Sequence, residues 1–573
     1  MQLIKETKKD TPLREALLAC KTMVKYVLVF GCIVNLLMLS TPLYSMQVLD
    51  RVLSSGNKTT LLMLTLVIIL ALALLALIQA ARAFAMNKMG TWFENKLSGI
   101  IFSNSIRSAI ESKAMANSQQ LRDLQTIKTF LTSPGLISML DTPWAIIFII
   151  VLFILHVYLG CLAVIVGAIL IIFGLIADRS TKPLIETNNE NFIRSMRQVD
   201  QATRNGEVIE VMGFQSNVIN SWQKLNDKVQ TTQTLVTKRQ SVFVESTKFI
   251  RLLIQISVTA VGAYLVILGE ITSGTIIASS SLVGRALAPF EAAINSWKGY
   301  VTCRKSYDRL TKMLSRHVDQ DSLMSLPPPE GRLDVENIFF APPRVPRHII
   351  KSVNFSLESG EMLAIIGPSA SGKTTLAKLM VGIYHPNIGA VRIDSASLKD
   401  WKRDELGPHI GYLPQDVELF GGTVKDNIAR MDENANHEDI VIAAQLAGVH
   451  EMILQLPMGY DTQIGFDGSV LSGGQKQRIG LARAFYGDPK IIILDEPNAS
   501  LDSKGEEALS TALSVAKEKN ITTVIISHRT PILNLTDKIL VMKDGMVAAF
   551  GPKEQVMQQM AKMQQAEKIG GTV

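Results

Sequence analysis

The sequence predicts two domains in tandem, an all-α membrane domain with six transmembrane helices and then an α/β domain with a mainly parallel sheet. Hydrophobic residues make up 47% of the chain and charged residues only 19%, below the roughly 25% of a soluble domain. The long apolar runs all lie before residue 300, and after residue 332 short β-rich runs alternate with helical ones. These three observations indicate a multidomain membrane protein with a soluble C-terminal part.

Composition divides the chain into five segments. A Pro-rich stretch at residues 325–331 predicts a stiff linker, and the Gln-, Met- and Lys-rich end of the chain predicts an exposed helix. The predicted segments are a cytoplasmic N-terminal segment (1–25), the transmembrane domain (26–314), the linker (315–331), the α/β domain (332–552) and the C-terminal tail (553–573).

Six apolar segments are candidates for crossing a hydrocarbon core of roughly 30 Å. The run at residues 143–177 is too long for one span, so we expect a hairpin near residues 156–160 that joins spans three and four. The sixth span is weaker because it contains serines, Arg285 and Pro289. Spans one, two, five and six are predicted at residues 26–48, 61–78, 252–268 and 275–294.

Basic residues are concentrated before the first span and in the two long connections, which follow spans two and four. The positive-inside rule therefore predicts that both termini and both long connections face the cytoplasm. These connections have almost no internal Pro, so as helices each could project some 30 Å or more from the membrane and return. Basic residues beside the apolar segments also account for the net charge of +7. Because the charge has this explanation, we expect no nucleic-acid binding. The four cysteines lack the spacing of a disulfide framework or metal site.

A phosphate-binding loop is the most specific motif in the α/β domain. It matches GxxxxGK[ST], in which backbone N–H groups surround a polyphosphate. We expect Lys373 to contact the β- and γ-phosphates of ATP, and Thr374 to bind Mg²⁺. The predicted ATP-binding residues of this loop are Gly367, Pro368, Ser369, Ala370, Ser371, Gly372, Lys373, Thr374 and Thr375.

Four aliphatic residues before Asp495 predict a buried strand that delivers this carboxylate to the sheet edge as a ligand of Mg²⁺. Glu496 follows directly and is the candidate general base that polarises an attacking water. Alone, this pattern is also that of an ordinary strand end. Its spacing after a phosphate loop makes it specific.

A second anion site is predicted at residues 471–475, where a serine and two glycines precede a helix. One chain cannot easily use two such sites on one phosphate group. We therefore expect this one to face nucleotide held by a second copy of the chain. Its candidate ATP-binding residues are Ser472, Gly473, Gly474 and Gln475.

The order of these motifs resembles that of the ATP-binding cassette (ABC) ATPases, over residues 332–552. The resemblance implies that Gln415 lies near Mg²⁺ and takes part in catalysis. It also implies that Asp502 belongs to the ATP site and that His528 contacts the γ-phosphate. Without the resemblance, His528 after a strand would more often be a structural residue.

Nearly the whole chain resembles the ATPase/permease of type I protein secretion systems, in the branch that exports metalloproteases and lipases. The resemblance is carried by residues 42–53, 130–135, 141–144, 204–210, 284–289 and 496–502. It implies a homodimeric half-transporter of the bacterial inner membrane with two composite ATP sites. The implied partners are a periplasmic adaptor (membrane fusion) protein, an outer-membrane channel and an unfolded polypeptide with a C-terminal signal. The alternatives are export of a lipid or small molecule, or a membrane-anchored regulatory ATPase that transports nothing.

The sequence departs from the family pattern at three places. Pro342 stands where many exporters have an adenine-stacking aromatic residue, and Phe340 is the candidate substitute. Before the second anion site, Phe466 replaces a customary glutamate, and Asp467 is a candidate for its coupling contact. Since the first span begins near residue 26, we also expect no N-terminal peptidase domain.

Arg285 is the predicted membrane-embedded charge of interest. An intramembrane cation either lines a polar pathway or extends its charged end to the interface, and both readings stay open. The serines near it in the sequence favour a polar-facing helix. Arg285 is therefore a candidate residue of the translocation pathway.

Overall fold

The computed structural model describes residues 12–111, 119–315, 324–342, 347–465, 471–487, 489–499 and 501–570. Contacts divide the chain into two compact units, Met1–His317 and Val318–Val573. The first is helical throughout its described part, and the second contains β-sheets and helices. This is the predicted order of an all-α and an α/β domain.

Eleven α-helices form the described part of the first unit. A π-helical turn at Val48–Val52 and a 3-10 turn at Thr142–Trp144 interrupt them. The helices are α1 (Pro12–Met38), α2 (Ser40–Gln47), α3 (Leu53–Ser55), α4 (Lys58–Glu111), α5 (Gln119–Leu131), α6 (Pro134–Asp141), α7 (Ala145–Leu155), α8 (Val157–Arg204), α9 (Gly206–Val211), α10 (Gln215–Ile267) and α11 (Ser273–Leu314).

Five helical segments in the described ranges are long and apolar enough to cross a membrane: Pro12–Ser55, Lys58–Ile110, Pro134–Leu155, Val157–Arg204 and Gln215–Ile267. They contain the first five predicted spans. The predicted sixth span lies in α11, which has 42 residues but is less apolar than the others. Its serines and Arg285 explain that difference.

The predicted hairpin between spans three and four turns at His156, whose backbone is extended (φ −168°, ψ 140°) between two helices. Its Nδ1 accepts a hydrogen bond from the Tyr158 N–H (3.3 Å), which caps the start of α8. Its Nε2 lies 2.9 Å from Oε2 of Glu270, just beyond the end of α10. One polar residue therefore breaks an apolar run and ties the turn to a neighbouring helix.

The membrane helices extend into the long connections, as predicted from the small number of prolines there: α4 continues span two, and α8 and α10 continue spans four and five. The 54 residues of α4 correspond to a length of about 80 Å, far more than a bilayer core. Helices α8 and α10 are of similar length and meet at the short α9. Each helix therefore has a large part outside the hydrocarbon.

Two ion pairs, each with one buried partner, join helices that are distant in the sequence. Arg82 on α4 contacts Asp141 at the end of α6 (2.7 Å), and the arginine side chain is 3% exposed. Arg309 on α11 contacts Asp123 on α5 (2.5 Å). Each pair has one buried charged side chain, Arg82 in the first and Asp123 in the second. Loss of either partner would leave that buried charge uncompensated, so these contacts favour the observed helix neighbours.

The second unit contains twelve strands and nine α-helices in its described part. The strands are β1 (Leu333–Phe340), β2 (Ile350–Leu357), β3 (Met362–Ile366), β4 (Ile388–Ile393), β5 (Ala396–Ser397), β6 (Ile410–Leu413), β7 (Gly422–Thr423), β8 (Gln463–Ile464), β9 (Ile491–Asp495), β10 (Thr522–Ile526), β11 (Lys538–Lys543) and β12 (Met546–Pro552). The helices are α12 (Lys373–Met380), α13 (Arg403–Leu406), α14 (Val424–Ile428), α15 (His437–Leu446), α16 (His450–Leu454), α17 (Gly473–Phe485), α18 (Ser503–Glu518), α19 (Thr530–Leu535) and α20 (Lys553–Gly570).

The main sheet has the order β12-β11-β3-β10-β9-β6, and only the β11–β12 pair is antiparallel. Strands β3, β9 and β10 are buried at every residue, as expected when helices cover both faces of a parallel sheet. A second, antiparallel sheet has the order β2-β1-β4-β5.

The parallel strands end together at one edge of the main sheet. Ile526 of β10 is in register with Ile365 of β3 and with Asp495 of β9. The segments that follow these strands are therefore neighbours although they are far apart in the sequence. Ligands of open α/β sheets bind at this carboxyl edge.

Candidate nucleotide site

The phosphate-binding loop connects β3 to α12 through backbone conformations that favour glycine. Gly367 has φ 152° and Gly372 has φ 101°, both outside the region that side chains readily accept. A Cβ at Gly367 would lie 2.2 Å from the Met542 carbonyl oxygen. Lys373 Nζ donates hydrogen bonds to the Gly367 (2.7 Å) and Pro368 (2.9 Å) carbonyls. The lysine thus curls back over its own loop, at the start of a helix.

Thr374 and Asp495 are adjacent, as predicted for two ligands of one ion. The Thr374 hydroxyl donates to Oδ1 of Asp495 (3.3 Å). Asp495 is completely buried, and its Oδ2 has no hydrogen-bond partner among the described residues. Burial raises the pKa of Asp495, and the neighbouring Glu496 raises it further, while the Thr374 hydrogen bond opposes the change.

This arrangement fits Mg²⁺. The ion takes oxygen ligands and binds in nucleotide sites through one or two protein groups together with phosphate oxygens. A buried carboxylate oxygen without a partner, next to a threonine hydroxyl, offers that chemistry. The cation's charge would also offset the cost of burying Asp495 as an anion.

Glu496 is held where β9 ends. Its backbone is left-handed, with φ 51°, a conformation that non-glycine residues rarely adopt. Its N–H donates to the Ile526 carbonyl (3.0 Å), and its carbonyl accepts from Gln477 Nε2 (3.1 Å). Its carboxylate accepts from Gln415 Nε2 (3.1 Å). The structure therefore brings together the two predicted catalytic residues Glu496 and Gln415.

Gln477 and the pair Ser527–Asn498 are site residues that the sequence reasoning missed. Gln477 is 4% exposed in α17, and an amide buried in a helix is the signal that could have drawn attention to it. The Ser527 hydroxyl donates to Asn498 Oδ1 (3.0 Å) and joins the ends of β10 and β9. The next residue, His528, is exposed at the same edge.

The second predicted anion site is a well-capped helix start. The Ser472 hydroxyl accepts from the Gln475 N–H (3.3 Å), and the Ser472 N–H donates to Gln475 Oε1 (2.8 Å), which is a capping box. Gly473 and Gly474 form the first turn of α17. Among the described residues, no hydrogen bond joins this turn to the phosphate loop.

Asp502 caps a different helix. Its Oδ1 accepts from the Gly505 N–H (2.9 Å) at the start of α18, and its side chain is otherwise exposed. Asp502 therefore stabilises the start of α18 within its own chain, in addition to the role in the ATP site that the sequence predicts.

Phe340 lies in the core, not on an open face of the site. Its side chain is 5% exposed, and its ring stacks on Tyr384 at 5.1 Å between centroids. A ring packed in this way offers no free face to adenine, which corrects the role expected from the sequence. Pro342 is half-buried, and Phe466 and Asp467 fall outside the described residues.

Arg285 lies on α11 with a half-buried side chain. No carboxylate or hydrogen-bond partner for it occurs in the described ranges. It is thus a cation without a partner in the part of the chain predicted to span the membrane.

Comparison with known proteins places this geometry in a family. The ABC transporter family matches residues 350–499, and the ABC transporter transmembrane region matches residues 24–289. A type I secretion system ATP-binding protein, PrsD of Rhizobium meliloti (strain 1021), is 38% identical over 96% of this chain and 95% of its own length. The chain belongs to the type I secretion family of ABC transporters.

More distant relatives agree with this assignment. The toxin RTX-I translocation ATP-binding protein of Actinobacillus pleuropneumoniae is 29% identical over 92% of this chain and 76% of its own length. A leukotoxin translocation ATP-binding protein of Mannheimia haemolytica is 28% identical over 93% and 76%. A solved bacterial Atm1-family ABC exporter with ATP bound has a TM-score of 0.82 and 22% identity, and it covers 96% of this chain and 98% of its own.

The predicted family, fold class and activity are thereby confirmed. The protein is a multi-pass membrane ABC exporter whose cassette binds and hydrolyses ATP to drive export. The likeness to the Atm1-family exporter supports the fold alone, since its identity is low.

Proposed function

We propose that this exporter moves an unfolded polypeptide with a C-terminal signal across the bacterial inner membrane, as one part of a type I secretion system. The observation that carries the proposal is the 38% identity to a type I secretion ATP-binding protein along nearly the whole of both chains. A periplasmic adaptor protein and an outer-membrane channel are the proposed partners. Both termini face the cytoplasm in this proposal.

The proposed hydrolytic site uses the groups at the sheet edge. The phosphate loop and Lys373 would bind the β- and γ-phosphates, and Thr374, Asp495 and Gln415 would hold Mg²⁺. The ion would neutralise phosphate charge. Glu496 polarises the attacking water, and the Gln415 hydrogen bond to its carboxylate supports this role by orienting it.

The proposed functional unit is a homodimer. The capped start of α17 has no hydrogen bond to the phosphate loop in the described part of its own chain. Ser472 to Gln475 and Asp502 would therefore complete the ATP site of a second copy, while His528 contacts the γ-phosphate. ATP then favours the closed pair because it binds that state more tightly, and the long helices pass the movement to the spans.

Transfer of secretion to a passenger protein tests the substrate class. The transporter is co-expressed with a candidate adaptor and channel, and with an unrelated protein fused to the last sixty or so residues of a secreted protein from the same genome. We expect the fusion in the medium, and the same passenger without the C-terminal segment in the cells. Secretion that persists with Glu496→Gln, or that ignores the segment, would contradict the proposal.

Arg285 is proposed to line the translocation pathway. We expect Arg285→Ala to reduce export of the fusion more than Arg285→Lys, because lysine keeps the positive charge. Unchanged export by Arg285→Ala would remove this residue from the pathway.

A further inference from the structure

The membrane domain contains an apolar cavity of about 190 Å³ between α8, α10 and α11. Gly174, Phe243, Phe290 and Ile294 are among its walls, and it lies near the middle of the three helices. An apolar cavity of about 150 Å³ binds benzene. This one has room for one large apolar side chain.

A groove of about 560 Å³ adjoins the cavity, because Gln240 and Lys298 line both. Most of the residues that line it have a hydrogen-bonding side chain, although much of the lining surface is formed by their carbon atoms. The rest of the groove comes from α5 and the following part of α11. The side-chain amides of Gln125, Gln240 and Asn295 face it without hydrogen-bond partners among the described residues. Each amide carries a donor and an acceptor, as does a peptide group.

We infer that the groove and cavity form one subsite for the exported chain. An extended peptide backbone lies along the groove, and one large apolar side chain enters the cavity. This inference rests on the proposed export of an unfolded polypeptide and names where that polypeptide is held. Amide side chains can form hydrogen bonds with the peptide groups of any sequence. The subsite would therefore select for the size of one side chain and not for a particular sequence.

A polypeptide fits these linings better than a phospholipid does. The groove has a single cation, Lys298, among many neutral hydrogen-bonding groups, whereas a lipid phosphate favours clustered basic groups. Asp178 at the cavity rim already accepts a hydrogen bond from Trp297 Nε1 (2.8 Å). Lys298 and Asp178 are the charged residues of the two linings, and their formal charges cancel. The polar surface is therefore nearly neutral, as is a peptide backbone.

Gly174 gives a direct way to fill the cavity. A Cβ added there would meet only Ile294, at 4.0 Å, across the cavity. Gly167 is a matched control, because it lies two turns earlier in α8 and a Cβ there meets no atom within 4 Å. Gly174→Leu should therefore block the subsite, and Gly167→Leu should not. Ala293→Leu, from the α11 wall, is the second blocking variant.

The test measures binding of two labelled peptides to the full-length transporter in nanodiscs. Both are twenty-residue chains of Gly, Ser and Gln, and one carries a central Phe where its twin carries Ala. We expect wild type and Gly167→Leu to bind the Phe peptide roughly tenfold more tightly, as burial of one large apolar side chain predicts. Both blocking variants should lose that preference, with folding checked by gel filtration and thermal unfolding.

Equal binding of the twins by wild type, or a Phe preference that survives both blocking variants, would overturn the subsite and leave the export proposal to its own secretion assay. Failure of wild type to bind either peptide would count against both. Benzoylphenylalanine in place of Phe243 provides a second readout. Cross-linking should capture the Phe peptide, and capture of phospholipid or of a second transporter copy instead would also overturn the subsite.

Discussion

The ATP site and the groove of the membrane domain place polar groups in contrasting ways. At the sheet edge, β9 delivers Asp495 and Glu496, and β3 delivers the phosphate loop, to positions fixed by the register of both strands with β10. In the groove, amides on separate helices have no partners among the described residues. The ATP site selects its ligand by the positions of individual polar atoms. The second can accept ligands that share only size and polarity.

Removing the proposed base should have the largest effect. Glu496→Gln keeps the size of the side chain and the Gln415 contact, but cannot take a proton. Since a general base contributes roughly 10²–10⁴-fold, we expect ATP turnover to fall by about that factor while ATP still binds. Steady-state hydrolysis and nucleotide binding measure this, with the exposed Glu507→Gln on α18 as control. Turnover within a few-fold of wild type would refute the assignment.

Breaking the Arg82–Asp141 pair should be the largest effect on stability in the membrane domain. Asp141→Leu leaves a buried guanidinium uncompensated, and we expect a loss of about 3–5 kcal/mol. The double variant Arg82→Leu/Asp141→Leu should lose less than Asp141→Leu alone, because no charge remains buried. Thermal unfolding in detergent checks both, with the exposed pair Lys248–Glu245 as control. Equal losses in single and double variants would show that packing, not charge, dominates.

Asp495→Asn should stabilise the protein in the absence of Mg²⁺ and ATP while impairing hydrolysis. Burial raises the pKa of Asp495, so the folded state holds its proton more tightly than the unfolded state does. This carboxylate therefore costs stability as the pH rises from its unfolded pKa through the raised folded value. We expect a gain of roughly 1 kcal/mol at pH 7.5, or ~2–4 °C in Tm. The gain should shrink as the pH is lowered, and a gain independent of pH would contradict the explanation.

The smallest expected effect concerns adenine. No aromatic residue follows Phe340 before His348 in the sequence, and the Phe340 ring is buried against Tyr384. Pro342→Tyr should lower the KM for ATP by about two- to tenfold, which is the worth of one aromatic stack. Comparison of ATP with GTP hydrolysis measures it, and Pro342→Leu controls for loss of the proline. No change with tyrosine would place adenine elsewhere.

The sequence predicted the ATPase domain better than the membrane domain for a physical reason. Strands β3 and β10 are two of the short β-rich runs predicted after residue 332, since short aliphatic runs flanked by glycine and polar residues leave few alternatives. The hairpin near residues 156–160 was also predicted, and the structure locates the turn at His156. The Arg82–Asp141 pair was not foreseen, because hydropathy finds a span but says nothing about which helix lies beside it.

Within the site, the residues supplied by local motifs were predicted and those supplied by the tertiary fold were not. Lys373, Thr374 and Asp495 follow from short patterns with one chemical meaning. Gln477 lies nineteen residues from Glu496 in the sequence, and its hydrogen bond to the Glu496 carbonyl forms only when α17 packs beside the end of β9. Phe340 is the opposite case, an aromatic residue near the expected place whose ring the core already uses.

Glu496 occupies a left-handed backbone position that glycine would take at lower energy, by about 1 kcal/mol. The chain accepts this strain because a carboxylate one residue after the buried strand is where hydrolysis needs it. Stability and activity therefore oppose each other at a single residue. A library selected only for heat resistance should drift toward glycine here and lose its ATPase activity, whereas selection for secretion should keep the strained glutamate.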